Sequence, residues 1–350
     1  MYYSFNHGHY MHSKIYNWLI RNTPGSGFRK VNSFPVILAS EIGIVRKDNQ
    51  DKVVAFQINN KTNKIFSIIL CDGMGGMING AECAALTISS FIMSIYYSNK
   101  KFISEKAIDA VKTANSAVFK RHNGRGGSTL SAILFDCNNN LVGINVGDSR
   151  IYSLERQKIN KITIDDTIAE HISNKEEFDY TRKNELLQYI GIGDSIEPHL
   201  IKINKNYDSL LLTSDGLHFV GAEILNRIFI SASEKNVIAK RLTELSKWLG
   251  GQDNASISII DTMHSPFDSN EDFSIQIWDP FSEFFICLNG TSENKNVISG
   301  NKSSPTPKKK KTNKVKTQNE NEQKFNIEEN SDNKDTKQKN EQIRLEIEIS

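Results

Sequence analysis

Five aspartates, Asp51, Asp72, Asp148, Asp215 and Asp253, each stand at an end of a stretch that reads as a β-strand, several with glycine alongside. A single Asp in a turn ordinarily binds the N–H groups around it. Five at strand ends can be gathered along one rim of a sheet sandwich. There they cannot all stay ionised unaided, because close like charges raise one another's pKa. Hard divalent cations relieve that repulsion, and Mg²⁺ or Mn²⁺ prefers carboxylate, carbonyl and water oxygens. The set suits two ions about 3.5–4 Å apart that clamp a phosphoryl group. Other chemistries lack their residues. There is no HExxH helix, no cysteine cluster and no GxSxG elbow. Gly124 to Gly127 lack the lysine of a phosphate-binding loop and precede a strand.

The elements that must position these acids can be read from apolar periodicity. Ile65 to Cys71 is a short apolar run that reads as a buried strand ending in Asp72. Gly73-Met74-Gly75-Gly76 then breaks the chain, and a helical pattern covers Ala81 to Tyr97. Taken alone, a strand-to-helix loop with Asn79 as N-cap explains this stretch equally well. Phe34 to Val45, Val53 to Ile58, Leu130 to Phe135, Leu141 to Val146, Ile151 to Leu154 and Lys158 to Ile164 read as strands. So do Leu200 to Ile203, Ser209 to Thr213 and Ala255 to Ile260. Further helical patterns cover Glu105 to Arg121, Glu223 to Ile230 and Lys235 to Leu249, and a polar one covers Asp165 to Ile190. Strands and helices are segregated, which argues against a parallel βαβ fold. The expected class is α+β, a four-layer αββα sandwich of two antiparallel sheets, each covered by a helix pair.

The chain has 350 residues, is 38% hydrophobic and carries a formal net charge of +2. That charge implies neither a nucleic acid nor an anionic membrane. Of the four cysteines, Cys71, Cys83 and Cys137 read as small buried hydrophobes in a reducing compartment, and Cys287 completes the set. No window approaches the roughly 20 apolar residues of a membrane helix, so a soluble, cytoplasmic protein is expected. Residues 1–33, with His7, His9 and His12, have no clear place and read as an N-terminal extension. Phe273 to Trp278 and Phe284 to Leu288 read as an appended hairpin. From Gly290 the chain is rich in Asn, Lys, Glu and Ser, a composition that buries too little to offset its ordering entropy. The tail carries a basic run at Lys308 to Lys311 and an alternating end from Ile343 to Ile349, which could add to a partner's sheet edge.

Six stretches occur in an order that resembles a known family: Arg46 with Asn49-Gln50-Asp51, Asp72-Gly73-Met74-Gly75-Gly76, Gly126-Gly127-Ser128-Thr129, Gly147-Asp148-Ser149-Arg150, Ser214-Asp215-Gly216-Leu217 and Asp253-Asn254-Ala255-Ser256. Together they are similar to the metal-dependent serine/threonine protein phosphatases of the 2C type, the PPM family, in its bacterial branch. The likeness runs from about Phe34 to Asp261.

The resemblance implies a catalytic domain over residues 34–262 with a flap at about 165–190, followed by appended strands at 263–289 and the tail at 290–350. It implies that Asp72 bridges two Mn²⁺ or Mg²⁺ ions, with the Gly73 carbonyl in one shell and Asp215 and Asp253 on the other ion. Asp51 and Gln50 would act through water, Asp148 with Asp215 would support a third ion, and Arg46 would grip phosphate with its planar guanidinium. Ser149 and Asn254 would support them by hydrogen bonds. The implied reaction is in-line attack of a metal-bridging hydroxide on a phosphoserine or phosphothreonine in a protein, opposing a serine/threonine kinase. A monomer is expected, with the tail as a contact for a protein partner. A catalytically weak phosphoprotein-binding adaptor of the same fold is the alternative. Two positions depart from the family pattern: Met74 stands where animal members have a histidine, and Asp166 where relatives commonly have one.

Overall fold

Strand β4 (Lys64–Asp72) shows why the chain forms layers. Its side chains alternate across the sheet: Ile65, Ile69 and Cys71 enter one core, whereas Phe66, Ile68 and Leu70 enter another. A strand apolar on both faces must be covered on both, which explains its unbroken hydrophobic run. The computed structural model describes residues 2–74, 77, 79–171, 185–262 and 274–287. Gly75 and Gly76, most of the expected flap, the 290–350 tail with its lysine run and the alternating end lie outside the described residues.

Two antiparallel sheets carry the fold. One contains β1 (Ser26–Val31), β2 (Val36–Glu41), β7 (Arg150–Glu155), β8 (Lys158–Lys161), β10 (Ser209–Thr213) and β11 (Ala255–Asp261), in the order β1-β2-β11-β10-β7-β8. The other contains β3 (Asp51–Asn59), β4, β5 (Leu130–Asp136), β6 (Leu141–Val146), β9 (His199–Lys202), β12 (Ser274–Trp278) and β13 (Glu283–Cys287), in the order β13-β12-β3-β4-β5-β6-β9. Helices α1 (Tyr2–Leu19), α2 (Gly80–Tyr97) and α3 (Ile103–His122) cover the second sheet. The short α5 (Asp215–His218), α6 (Ala222–Ile230) and α7 (Lys235–Trp248) cover the first. A third core, with Val53, Ile68, Leu210, Leu212 and Ile260, lies between the sheets. Helix, sheet, sheet, helix is the four-layer order expected from the sequence.

Several local expectations change. Residues 2–31 are built into the layers: Met11, Ile15 and Leu19 of α1 lie buried in the same core as Ile88, Phe91 and Ile92 of α2, and β1 pairs with β2. His12 reaches Ser90 at 3.1 Å. Asn79 is no side-chain cap. It adopts the left-handed conformation, φ 55°, and its side chain turns to Glu82 instead. Cys71 and Cys83 are buried, but Cys137 is exposed because it falls in the β5–β6 turn rather than on a strand. Within the stretch expected to be helical between Asp165 and Ile190, the described residues form only the four-residue α4 (Ile168–His171). Ile190 instead bridges to Ser128.

Candidate functional site

Register and alternation bring the first two acids together. Asp51 and Asp72 are direct partners in the β3–β4 ladder. By the two-residue period, Asp72 shares a face with Phe66, Ile68 and Leu70, and Asp51 shares one with Val53 and Ala55. That face looks into the space between the sheets. From the opposite sheet, β10 ends at Thr213 and is followed by Ser214, whose hydroxyl donates to Asp51 Oδ2 at 2.7 Å. Asp215 follows at the head of α5, and Asp253 lies just before β11. Asp148 follows β6.

The four acids Asp51, Asp72, Asp148 and Asp215 titrate as neighbours. Burial, with like charge from Asp215 and Asp253, pushes the Asp51 carboxyl up to about 7. Burial comes first at Asp72 too, followed by Asp51, Asp215, Asp148 and Asp253, and its carboxyl lies well above the usual range. Asp215 is raised by burial and then by the like charge of Asp253. Asp148 is pushed up to about 7 by burial, then by Asp215 and Asp165.

Among the described residues, no three His, Cys, Asp or Glu side chains are drawn together as a ready coordination set. Two of the acids are held by other protein groups instead. Asp253 Oδ2 accepts from Arg46 at 2.6 Å, and Asp51 Oδ2 accepts from Ser214 at 2.7 Å. The donors nevertheless fit divalent cations. Asp51 Oδ1 and Asp215 Oδ1 are buried with no hydrogen-bond partner, which is costly unless something else satisfies them. The Gly73 carbonyl is left uncovered by a glycine opposite: a Cβ on Gly80 would stand 2.8 Å from Gly73 O and 3.0 Å from Gln50 Cδ.

Arg46 lies on an exposed loop, its side chain 39% accessible, and ion-pairs with Asp253. The hydrogen bond from Arg46 to Asp253 raises the guanidinium pKa further, and Asp215 and Asp72 add to the effect. Asn254 fastens this loop. Its Oδ1 accepts from Gln50 N at 2.8 Å, and its Nδ2 donates to Ile42 O at 2.8 Å and Asp48 O at 3.2 Å. Gln50 O in turn accepts from Gly73 N at 3.2 Å, so Gln50 ties Asn254 to the Asp72 turn through its backbone. Gly216 must be glycine, because a Cβ there would lie 2.1 Å from Asn254 O.

Two supporting groups fall inside the motif stretches Gly126 to Thr129 and Ser214 to Leu217, with no role of their own read from the sequence. Thr129 Oγ1 accepts from Asp72 N at 3.0 Å and meets the buried Ser149 hydroxyl at 2.7 Å. Ser214 accepts from Ser256 N at 2.9 Å while donating to Asp51. They stand one residue outside a strand, Thr129 before β5 and Ser214 after β10, and that place beside the acids is the signal for them. Asp166 is also firmly held. It is 1% accessible, accepts from Gly147 N at 2.8 Å and from Gln188 Nε2 at 3.1 Å, and contacts His199 Nε2 at 2.7 Å. Its own N–H donates to Gly147 O at 3.0 Å. Asp165 pairs with Arg150 at 2.6 Å. The two acids therefore bind the described start of the expected flap to the turn that carries Asp148.

Comparison with known proteins agrees with this architecture. No family model matches the chain. It is 28% identical over 236 residues to the serine/threonine protein phosphatase PstP of Mycobacterium tuberculosis, covering 64% of this chain and 44% of that protein. It is 24% identical over 238 residues to the serine/threonine phosphatase stp of Listeria monocytogenes, covering 63% of this chain and 92% of the relative. The chain thus spans less than half the length of the mycobacterial protein and nearly all of the listerial one. The crystal structure of the PPM Ser-Thr phosphatase MsPP from Mycobacterium smegmatis, in complex with cacodylate, has the same fold, with a TM-score of 0.53 and 24% identity over 65% of this chain and 98% of that one. Among the described residues, no helix is long and apolar enough to cross a membrane.

Proposed function

We propose that this chain, a relative in sequence and fold of the bacterial PPM serine/threonine phosphatases, is a metal-dependent hydrolase of phosphoserine and phosphothreonine in proteins. One observation carries the reading: buried carboxylates facing each other across two sheets, two of their oxygens without partners, with an accessible arginine at their edge. Acids with strongly raised pKa values in such a setting point to function rather than to packing.

When bound, two or three Mn²⁺ or Mg²⁺ ions supply Lewis acidity and a nucleophile available near neutral pH. The chain's own residues do the rest. Asp72, Asp215 and Asp253, with the Gly73 carbonyl, hold the cations, while Asp51, Gln50 and Asp148 complete their surroundings. Arg46 turns from Asp253 to the phosphate, exchanging one charge-assisted hydrogen bond for another. Thr129 and Ser149 fix the backbone of Asp72, and Asn254 fixes the loop of Arg46. Met74, half-buried, offers no proton to the leaving alkoxide. The protein acts in the cytoplasm, as a monomer, and reverses the work of a serine/threonine kinase. Residues 34–262 carry the residues of its active site, on a fold that α1, β1, β12 and β13 complete.

The test is hydrolysis of an aryl phosphate with Mn²⁺, with EDTA, and by the Asp72→Asn and Asp215→Asn variants. Turnover that needs Mn²⁺ and both acids is expected. Metal-saturated, folded protein without turnover would leave only a phosphoprotein-binding role.

A further inference from the structure

Immediately beside the acid cluster lies a patch that neither the fold nor the chemistry requires. Ile44 is 64% accessible, Val45 57%, Trp248 81% and Leu249 43%. Single exposed apolar residues are ordinary, but a contiguous exposed group rimmed by polar residues marks an interaction surface. These four residues are joined through the backbone. The N–H groups of Ile44 and Val45 both donate to Gly251 O, at 2.8 and 3.1 Å. Gly251 follows Trp248 and Leu249 within three residues and closes the end of α7 through a bond from its own N–H to Ser246 O at 3.0 Å.

The junction is also fixed sterically. Gly43 has φ +85°, and a Cβ there would stand 2.6 Å from both Asp253 O and Gly251 O. Gly251 has φ +51°, and a Cβ there would stand 2.7 Å from Ile44 N. The two loops therefore hold one relative position. Trp248 lies off the buried stripe of α7, formed by Ile238, Leu242 and Ser246, so core packing does not account for it.

What covers this ledge is indicated by its neighbours. Val45 is followed by Arg46, paired with Asp253, and then by the exposed Lys47. Arg46 thus stands between the ledge, to which Val45 joins it in the chain, and the acids, to which Asp253 joins it by the ion pair. We infer that this ledge seats an apolar side chain of the phosphoprotein substrate beside its phosphorylated residue. The inference rests on the phosphatase reading and adds a substrate class to it: segments in which apolar residues flank phosphoserine or phosphothreonine. An aryl phosphate carries no residues beside a phosphorylated one, so the ledge acts on protein substrates alone.

The experiment compares three substrates on the full chain with Mn²⁺: an aryl phosphate, a phosphothreonine peptide flanked by leucines, and the same peptide flanked by serines. The leucine peptide is expected to be preferred by about tenfold or more in kcat/KM, the range one buried apolar side chain supplies. Trp248→Ala and Ile44→Ser are expected to erase the preference while aryl-phosphate turnover stays unchanged. Tryptophan emission gives a readout free of turnover. A phosphonate analogue of the leucine peptide should shift the emission of the wild-type chain, and Trp248→Phe should remove that shift. Equal use of both peptides, or a preference that survives Trp248→Ala, overturns the inference. Absence of any aryl-phosphate turnover overturns the phosphatase reading instead, and the emission titration still decides whether the ledge binds the peptide.

Discussion

Asp51 and Asp72 face each other as direct partners across β3 and β4, on the side of the sheet that looks into the sandwich. Like charges opposite one another in a ladder are destabilising, and burial multiplies the effect. A protein selected for stability alone would not keep such a pair.

The pair makes stability depend on pH in a stated direction. Asp51 is raised from 3.8 to about 7. Between those values it is protonated when folded and ionised when unfolded, so the folded state binds more protons and stability falls as pH rises through this window. EDTA-treated protein is therefore expected to melt higher at pH 5 than at pH 8. Asp51→Asn should flatten that slope, and Mn²⁺ should raise the pH 8 melting temperature most. Differential scanning calorimetry at the two pH values measures all three, and a higher melting point at pH 8 without metal would contradict the arrangement.

Arg46 has two successive partners. Exchanging it for lysine keeps the charge but loses the planar fork that can hold two phosphate oxygens. Arg46→Lys and Arg46→Ala are both expected to weaken inhibition by inorganic phosphate by about tenfold or more, one lost charged hydrogen bond. Neither should weaken Mn²⁺ binding, since Asp253 is released from competition. Calorimetric titration of Mn²⁺ beside phosphate inhibition separates the two effects.

How far these features can be read from sequence depends on whether they leave a period. Asp72 can be placed because the short apolar run Ile65 to Cys71 reads as a buried strand and the glycine after Asp72 marks its end. The sandwich follows from the segregation of strands and helices along the chain. Helix α1 is harder: among its described side chains the buried stripe is Met11, Ile15 and Leu19, set among tyrosines, histidines and a glycine, so tertiary packing against α2 makes the helix. Thr129 and Ser214 matter through one hydroxyl each, and a single hydroxyl at a strand end has no period. Cys137 looks buried by composition and is exposed by its place in a turn.

Thr129 tests that hidden support. Thr129→Val preserves shape and β-propensity but removes the acceptor for Asp72 N–H and the partner of Ser149. A buried N–H without a partner costs about 1–3 kcal/mol. The expected result is a stability loss in that range by urea denaturation, together with weaker Mn²⁺ binding. Thr129→Ser should restore both, because it returns the hydroxyl.

Asp166 tests the root of the flap. Its carboxylate serves Gly147 N–H, Gln188 and His199 at once, and it is almost wholly buried. Asp166→Ala leaves the Gly147 N–H without its acceptor at the residue before Asp148, at a cost of about 1–3 kcal/mol. His199→Gln should cost less, because the glutamine amide can still donate to Asp166 and the Gly147 bond survives. The two variants are expected to differ in another way as well. Only Asp166→Ala should speed exchange of the Gly147 amide, measured by hydrogen exchange with mass spectrometry on peptides spanning residues 141–150. Equal protection in both variants would mean that the backbone bond from Asp166 N–H to Gly147 O holds the turn without the carboxylate.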